Sequence, residues 1–386
     1  VGGAQDNTLL TVEKHNRTCF TVHLASNPNG AWSRRAQQAA DTFHPLPYLV
    51  NTLQPIKDVI TLIELVRLLR KEQFDIIHTH SSKAGILGRW AARIAGVPLV
   101  VHTIHGFPFH DFMPAWKRQL YINLERYARA STDFCITVSE LNRQEAEKLG
   151  ILDWENSQTV YSGIDFTKLD RASNSHQTRQ QLDIPDSWQT IVMVGRLNQQ
   201  KAPQILLNAF AQALQQHPKT LLLLVGEGEL QPCLQAQAQQ LNLANQVRFL
   251  GSREDVPEIL KVADIFALSS LWEGLGRAMT EAMLLGKPVV VPSIYGIPEI
   301  VHHHETGMLF PSGDVDQLAA HLSYLLQHPE ERQRIGHNAK QLTRRLFDAN
   351  QMVPQIEQIY EQLLTEKKAC ASKSGNGFSR FERFAG

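Results

Sequence analysis

Between Phe266 and Phe310 the chain reads Trp272-Glu273-Gly274-Leu275-Gly276-Arg277-Ala278-Met279-Thr280-Glu281, and its two carboxylates are the first groups equipped for chemistry. Eight residues are about 2.2 helical turns, so one continuous helix would not bring Glu273 and Glu281 to one face. A loop followed by a helix does better. Glu273 then lies in a glycine-rich turn after a strand at Asp264–Leu268, and a helix begins near Gly276 with Glu281 one turn in. Such a turn aims the backbone N–H groups of Leu275 to Arg277 at a helix start, where unpaired donors attract anions. A phosphate suits that position. The two glutamates would accept hydrogen bonds from hydroxyls at either end, and a nucleotide sugar has that form: sugar, diphosphate, ribose.

Two glutamates at this spacing are common in helical proteins, so the rest of the chain has to support them. Gly195-Arg196-Leu197-Asn198-Gln199-Gln200-Lys201 follows an apolar strand at Thr190–Val194. A forked guanidinium and a mobile ammonium together suit a diphosphate. His78-Thr79-His80 and His105-Gly106 close two further apolar runs, Phe74–His80 and Pro98–Thr103, and ligands of parallel sheets gather at such strand ends. We reject a metal reading of His78 and His80, because no Cys, His or Asp cluster of familiar spacing completes a ligand set. Asp314-Val315-Asp316 follows Pro311-Ser312-Gly313 and opens a helix, where acids are favoured without any cation; His302-His303-His304 reads as a surface turn.

These residues need a scaffold, and the pattern supplies one. Strands and amphipathic helices alternate through most of the chain. Helices are expected near Ala31–Asp41 and at Ile56–Lys71, Lys83–Ala95, Trp116–Ala130 and Glu140–Leu149, with Ser81 or Ser82 and then Ser139 as N-caps. Strands are expected at Cys19–Ala25, Phe43–Val50 and Asp133–Val138. After a polar stretch from Asp170 to Gln181 the alternation restarts, with strands at Thr190–Val194, Thr220–Gly228 (ending in a glycine turn) and Val247–Gly251, a helix stop leading into a buried strand within Leu285–Pro292, and helices at Ala202–Gln215, Gln317–Leu326, Pro329–Leu346 and Gln351–Lys367. That is an α/β chain of two Rossmann-like domains. The boundaries expected are 1–160 and 161–346, then a helix at 347–367 and a structureless tail at 368–386. Val1-Gly2-Gly3-Ala4-Gln5 reads as a glycine-rich turn whose preceding strand is missing.

Composition excludes several classes. Lys plus Arg equals Asp plus Glu at 38 each in 386 residues, so no net field attracts nucleic acid. Cys19, Cys135, Cys233 and Cys370 are scattered without metal or disulfide spacing, which fits reduced thiols in a cytoplasmic setting. No apolar run reaches the ~20 residues of a membrane span.

Taken together, the Glu273 to Glu281 segment, the following Leu285-Gly-Lys-Pro-Val-Val-Val-Pro292 and Tyr295-Gly-Ile-Pro-Glu-Ile-Val301 resemble the nucleotide-binding half of family 4 retaining glycosyltransferases, which use the GT-B architecture. Val160-Tyr-Ser-Gly-Ile-Asp165 resembles the signature between that family's domains, and His78 to Arg89 with Thr103-Ile-His-Gly-Phe107 resembles the branch that builds bacterial surface polysaccharides. The resemblance implies two domains facing across a cleft, a last helix crossing back to the first domain, and transfer of a hexose or N-acetylhexosamine from a UDP- or GDP-linked donor to a saccharide or polyprenyl-diphosphate-linked acceptor. It implies Glu273, His105, Lys201 and Arg196 as catalytic residues. Donor contacts would come from Gly2, Gly3, Arg196, Lys201, Glu273, Gly274, Leu275, Gly276, Arg277 and Glu281, with Gly251, Ser252 and Arg253 bordering the base. No metal or other cofactor is implied, and peripheral contact with the inner face of the membrane is allowed. A nucleotide-sugar 2-epimerase-like isomerase and a non-catalytic nucleotide-sugar-binding protein stand as alternatives.

Overall fold

Short aliphatic runs bounded by glycine, proline or acid residues become parallel strands, and the amphipathic stretches between them become the crossover helices that parallel pairing demands. The computed structural model describes residues 3–30, 32–50, 52–170 and 175–373. The chain divides into two units. Unit 1 comprises Val1–Val138, Arg143–Gly163 and Ala349–Gly386, and unit 2 comprises Ser139–Asn142 and Ile164–Asp348.

Unit 1 opens with α1 (Gly3–Lys14), β1 (His23–Ser26), α2 (Ser33–Ala39), β2 (Thr42–Pro45) and α3 (Pro55–Glu72). It continues with β3 (Ile76–His80), α4 (Ser82–Ala95), β4 (Leu99–Ile104), α5 (Ala115–Arg129), β5 (Phe134–Thr137), α6 (Glu140–Lys148) and β6 (Ser157–Thr159). Pairing is parallel throughout and forms a β1-β2 sheet and a β3-β4-β5-β6 sheet. Alternation along β4 sends Val100 to the layer of α3 and α4, where it meets Leu65, Leu69 and Leu87. Leu99 and Val101 point the other way, onto Met352, Val353, Ile356 and Tyr360 of the last helix.

Unit 2 holds α7 (Phe166–Asp170), α8 (Ser175–Gln181), β7 (Gln189–Val194), α9 (Pro203–Leu214), β8 (Thr220–Val225), α10 (Gln231–Gln240), β9 (Val247–Gly251) and α11 (Val256–Val262). Then follow β10 (Ile265–Ala267), α12 (Arg277–Leu284), β11 (Val289–Pro292), a 3-10 turn at Ile297–Glu299, β12 (Met308–Phe310), α13 (Val315–Gln327) and α14 (Pro329–Leu346). Its six parallel strands lie in the order β12-β11-β10-β7-β8-β9. This is the doubly wound order, with its reversal between β7 and β10. Leu221 to Val225 are buried without a break, as both-sided helix cover requires. The short Ser139–Asn142 piece is tied to unit 2 by Glu299, whose carboxylate accepts the Ser139 hydroxyl at 2.8 Å and the N–H groups of Glu140 and Leu141 at 3.0 and 3.1 Å.

The last helix, α15 (Ala349–Lys373), returns to unit 1, as the resemblance implies. Other details differ from the sequence reading. The tail was expected from 368, but Lys368 to Lys373 continue α15; residues 374–386 lie outside the described residues. Gly3 is the first residue of α1 rather than part of an open turn, and Gly2 lies outside the described residues. β1 and β2 are shorter than expected: β1 starts only at His23, because Cys19 lies in a turn closed by its N–H on the Asn16 carbonyl, and β2 ends at Pro45, after which the Leu49 N–H closes a turn on the Leu46 carbonyl. Ser81 holds the cap position of α4, yet its hydroxyl makes no cap bond. Its φ of 61° replaces the extended conformation from which a cap hydroxyl reaches the first N–H groups. Ser139 does cap α6, accepting from the Asn142 N–H at 3.2 Å.

Candidate functional site

The reversal between β7 and β10 brings the loops after those two strands together at one crevice of unit 2, the place where doubly wound sheets take their ligands. The β7 loop carries Arg196 to Lys201, and the β10 loop carries Ser269 to Gly276. Backbone and side-chain bonds stitch them together. The Leu271 N–H donates to the Gln200 carbonyl at 2.8 Å, Gln200 Nε2 donates to the Trp272 carbonyl at 3.0 Å, and Ser269 Oγ donates to the carbonyls of Lys201 and Ala202 at 3.1 and 2.9 Å. Lys201 Nζ then forms an ion pair with Glu273 Oε1, and the buried Ser270 hydroxyl donates to the same oxygen at 3.1 Å. Sequence reading placed Lys201 and Glu273 in one site without foreseeing that they pair, and it missed Ser270.

Beside this pair the β10 loop turns into α12. Gly276 occupies the helix N-cap with φ 81°, a conformation glycine adopts without strain. Among the described residues, the N–H groups of Leu275 and Gly276 donate to no protein acceptor, so this end of α12 presents donors to an anion. Glu281 sits one turn in, as expected, and accepts from Arg277 Nε at 3.2 Å. Arg196 is exposed at the mouth of β7. Its loop is held against the neighbouring one by Gly226, where a Cβ would stand 2.0 Å from the Gly195 carbonyl oxygen. At the end of β9, Glu227 accepts the Ser252 N–H at 3.2 Å, and Arg253 is occupied by Asp255 at 2.6 and 2.8 Å. Asp314 caps α13 by accepting the Gln317 N–H at 2.9 Å, and Asp316 accepts from Gln212 at 2.9 Å. Both acids of that D-x-D thus serve local structure. Among the described residues no group of three or more His, Cys, Asp or Glu side chains is disposed to hold a metal ion.

In unit 1 the strand register decides which histidines meet. His78 and His80 share the face of β3 that also carries Thr103 of β4, opposite α4. His105, one residue beyond β4, joins them: His80 Nδ1 lies 3.0 Å from His105 Nε2. His105 also lines a cavity with Ser81, Ser82, Gly106, Phe107 and Glu125. His78 is half-buried and engaged at both ring nitrogens, bonded to Tyr360 Oη at 2.5 Å and to Thr103 Oγ1 at 2.7 Å. Burial pushes its pKa down to about 3, helped by repulsion from His15 and His105, and burial also holds His80 and His102 well below the usual histidine range. These rings are neutral at ordinary pH. Glu125 at the cavity wall forms an ion pair with Arg89, and both side chains are buried. Sequence reasoning missed Tyr360 and Glu125, and nothing in their local sequence flags them.

Two family models match the chain: a glycosyl transferase 4-like domain over residues 2–159 and glycosyl transferases group 1 over residues 174–342. The UDP-Gal:alpha-D-GlcNAc-diphosphoundecaprenol alpha-1,3-galactosyltransferase of Escherichia coli is 34% identical over 320 residues, 82% of either chain. The N-acetyl-alpha-D-glucosaminyl L-malate synthase of Bacillus anthracis is 27% identical over 319 residues, 81% of either chain. Among solved structures, Anabaena Alr3699/HepE in complex with UDP-glucose superposes with a TM-score of 0.81 at 25% identity, covering 94% of this chain and 96% of that one.

Proposed function

The chain belongs to the family 4 type of glycosyltransferases with GT-B architecture, and we propose that it is a retaining enzyme that takes a hexose or N-acetylhexosamine from a UDP-linked donor. The acceptor we propose is a saccharide carried on a polyprenyl diphosphate. The observation that carries the donor reading is the meeting of Lys201, Glu273 and the donor-rich start of α12 at the reversal point of the unit 2 sheet. An ammonium, an exposed guanidinium at Arg196 and unpaired N–H groups suit a diphosphate. They would favour its departure most where its charge grows, in the transition state. Glu273 would orient the sugar while ordering Lys201, and Glu281 would hold the ribose. UDP and UDP-glucose in the HepE structures support the base, and the diphosphoundecaprenol in the name of the Escherichia coli relative supports the acceptor class.

This reading includes no metal, because the leaving group's charge already has protein cations to meet it. It also includes contact with the inner face of a membrane. Every exposed large hydrophobic side chain among the described residues falls between Tyr48 and Trp154, and none in Ile164–Asp348. At 3.6 residues per turn, Trp116, Leu120 and Tyr127 lie within about 40° of one another on the solvent side of α5. The helix also carries Lys117, Arg118, Arg126 and Arg129, and its one acid, Glu125, is buried against Arg89. Apolar and aromatic side chains among basic ones suit an anionic interface. No helix among the described residues is long and apolar enough to cross a membrane.

The test is thermal stabilisation by UDP, GDP and their sugars, since a ligand at 100 times its Kd adds about 2.7 kcal/mol. NMR of the glycosidic product would follow, to read whether the anomeric configuration is kept. Stabilisation by GDP alone, or an inverted product, would overturn the corresponding part of the assignment. Interconversion of a nucleotide sugar without any acceptor would favour the isomerase instead.

A further inference from the structure

The cavity beside His105 is served by an array of side chains that the donor site does not use. Three imidazoles run in series on one face of the sheet. The His78 and His80 rings stack with centroids 4.3 Å apart, and the His80 and His105 rings stack at 5.3 Å. The His80 Nδ1 to His105 Nε2 contact at 3.0 Å joins two nitrogens of like kind, so it is a hydrogen bond only if one ring donates and the other accepts. Burial keeps the His80 ring neutral, so the nitrogen that carries its proton decides whether Nδ1 donates to His105 Nε2 or accepts from it. The proton carried by one dictates which nitrogen of the other is protonated.

The far end of the array is braced by α15. Burial raises the Tyr360 pKa, so its phenol stays protonated and can donate to His78 Nδ1; His78 Nε2–H then donates to Thr103 Oγ1. Tyr360 is itself packed at its edge by Phe20 and flanked by His15, which bonds Glu357 one turn earlier on α15. A ring fixed at both nitrogens and stacked on its neighbour holds that neighbour's plane. His78 therefore fixes His80 laterally, and His80 is the residue that touches His105.

We propose that His80 is a positioning residue for His105: it sets which nitrogen of His105 carries the proton and holds the ring plane at the cavity wall, with Tyr360 and His78 bracing it from behind. The catalytic half of this rests on the family resemblance, which implies that His105 is a catalytic residue and which we read as placing it beside a hydroxyl of the transferred sugar. A hydroxyl facing His105 meets a donor or an acceptor according to that tautomer, and an imidazole free to flip or exchange tautomers would present both. The cost would appear in turnover more than in UDP affinity, since UDP lacks the sugar.

The test uses the full chain labelled with nitrogen-15 in histidine, and compares His80→Phe, which keeps a ring but no nitrogen, with His80→Asn, whose amide stands near the place of Nδ1. Nitrogen spectra should show the same His105 tautomer in the wild type and in His80→Asn, and a changed or averaged one in His80→Phe. UDP release from UDP-galactose, UDP-glucose or UDP-N-acetylglucosamine should fall about tenfold to a hundredfold in His80→Phe and recover in His80→Asn, with UDP affinity unchanged in both. Thermal midpoints close to wild type would confirm that the variants fold, and if His80→Phe does not, His80→Leu, which likewise carries no nitrogen, takes its place. An unchanged His105 spectrum in the nitrogen-free variant overturns the proposal, as does unchanged turnover alongside an altered spectrum. A wild-type chain that binds none of the UDP-sugars would sink the donor reading instead, and the nitrogen spectra would still decide whether His80 sets the tautomer of His105.

Discussion

Arg89 Nη2 donates to Glu125 Oε2 at 2.6 Å, joining α4 to α5 through an ion pair from which solvent is excluded. Arg89 Nε also donates to the Gly85 carbonyl at 3.0 Å, while Nη1 is buried and meets no hydrogen-bond partner among the described residues. Removing one partner strands a charge in the interior. Arg89→Met should therefore cost about 3–5 kcal/mol, whereas the double change Arg89→Met with Glu125→Leu should recover most of it. Urea denaturation of the three chains checks this. A double variant no more stable than the single one would show that the pair's worth lies in packing rather than charge.

Separate work for the two glutamates gives a second expectation. Glu281 lies on α12 and Glu273 in the loop before it. Glu281→Ala should raise the donor KM and weaken UDP, because the ribose is gripped equally in ground and transition states. Glu273→Ala should mainly lower kcat. Loss of a hydrogen bond to a charged group is worth about 1.5–3 kcal/mol, so each change should be about tenfold to a hundredfold. Calorimetry with UDP separates them, and the reverse pattern would place the ligand backwards along the crevice.

Acid should loosen unit 1 in a defined window. His78 has an ordinary value of 6.5 and a folded value pushed down to about 3, so below 6.5 the unfolded chain binds a proton that the folded chain refuses. Its contribution to stability is present above pH 6.5 and is lost as the pH falls toward 3. The slope is about 1.4 kcal/mol per pH unit. His80 and His102 act with the same sign. Denaturant midpoints measured from pH 7 to pH 4 should fall, and His78→Phe should flatten the curve.

Chelation should leave turnover intact. Asp314 and Asp316 are committed to the start of α13 and to Gln212, and Lys201 with Arg196 supplies the cationic charge at the crevice. Exhaustive EDTA treatment followed by a UDP-release assay checks this; loss of activity restored by manganese would refute it.

The exposed face of α5 should bind lipid. Vesicles containing phosphatidylglycerol should co-sediment the chain at low salt, and Trp116→Ser with Tyr127→Ser should release it. Screening of the basic residues predicts weaker binding as salt rises. Equal binding to neutral vesicles, or no change in the double variant, would remove the membrane from the functional reading.

Local pattern carried much of this protein without help from tertiary structure. Aliphatic runs such as Leu221 to Val225, and the change from loop to helix between Glu273 and Glu281, are written in consecutive residues, because strand burial and helix starts depend on neighbours a few positions away. The doubly wound architecture follows from that alternation and from the handedness of parallel crossovers. What the sequence leaves open is which distant side chains touch. Lys201 meets Glu273 across 72 residues, Glu299 meets Ser139 across 160, and His78 meets Tyr360 across 282. Each contact depends on strand order, or on the parallel register that puts His78, His80 and Thr103 on one face of a sheet and packs α15 against it. No local propensity encodes that register. It is selected when the whole apolar face of each strand is buried at once, so the ion pair at the crevice and the histidine array behind His105 exist only in the folded chain.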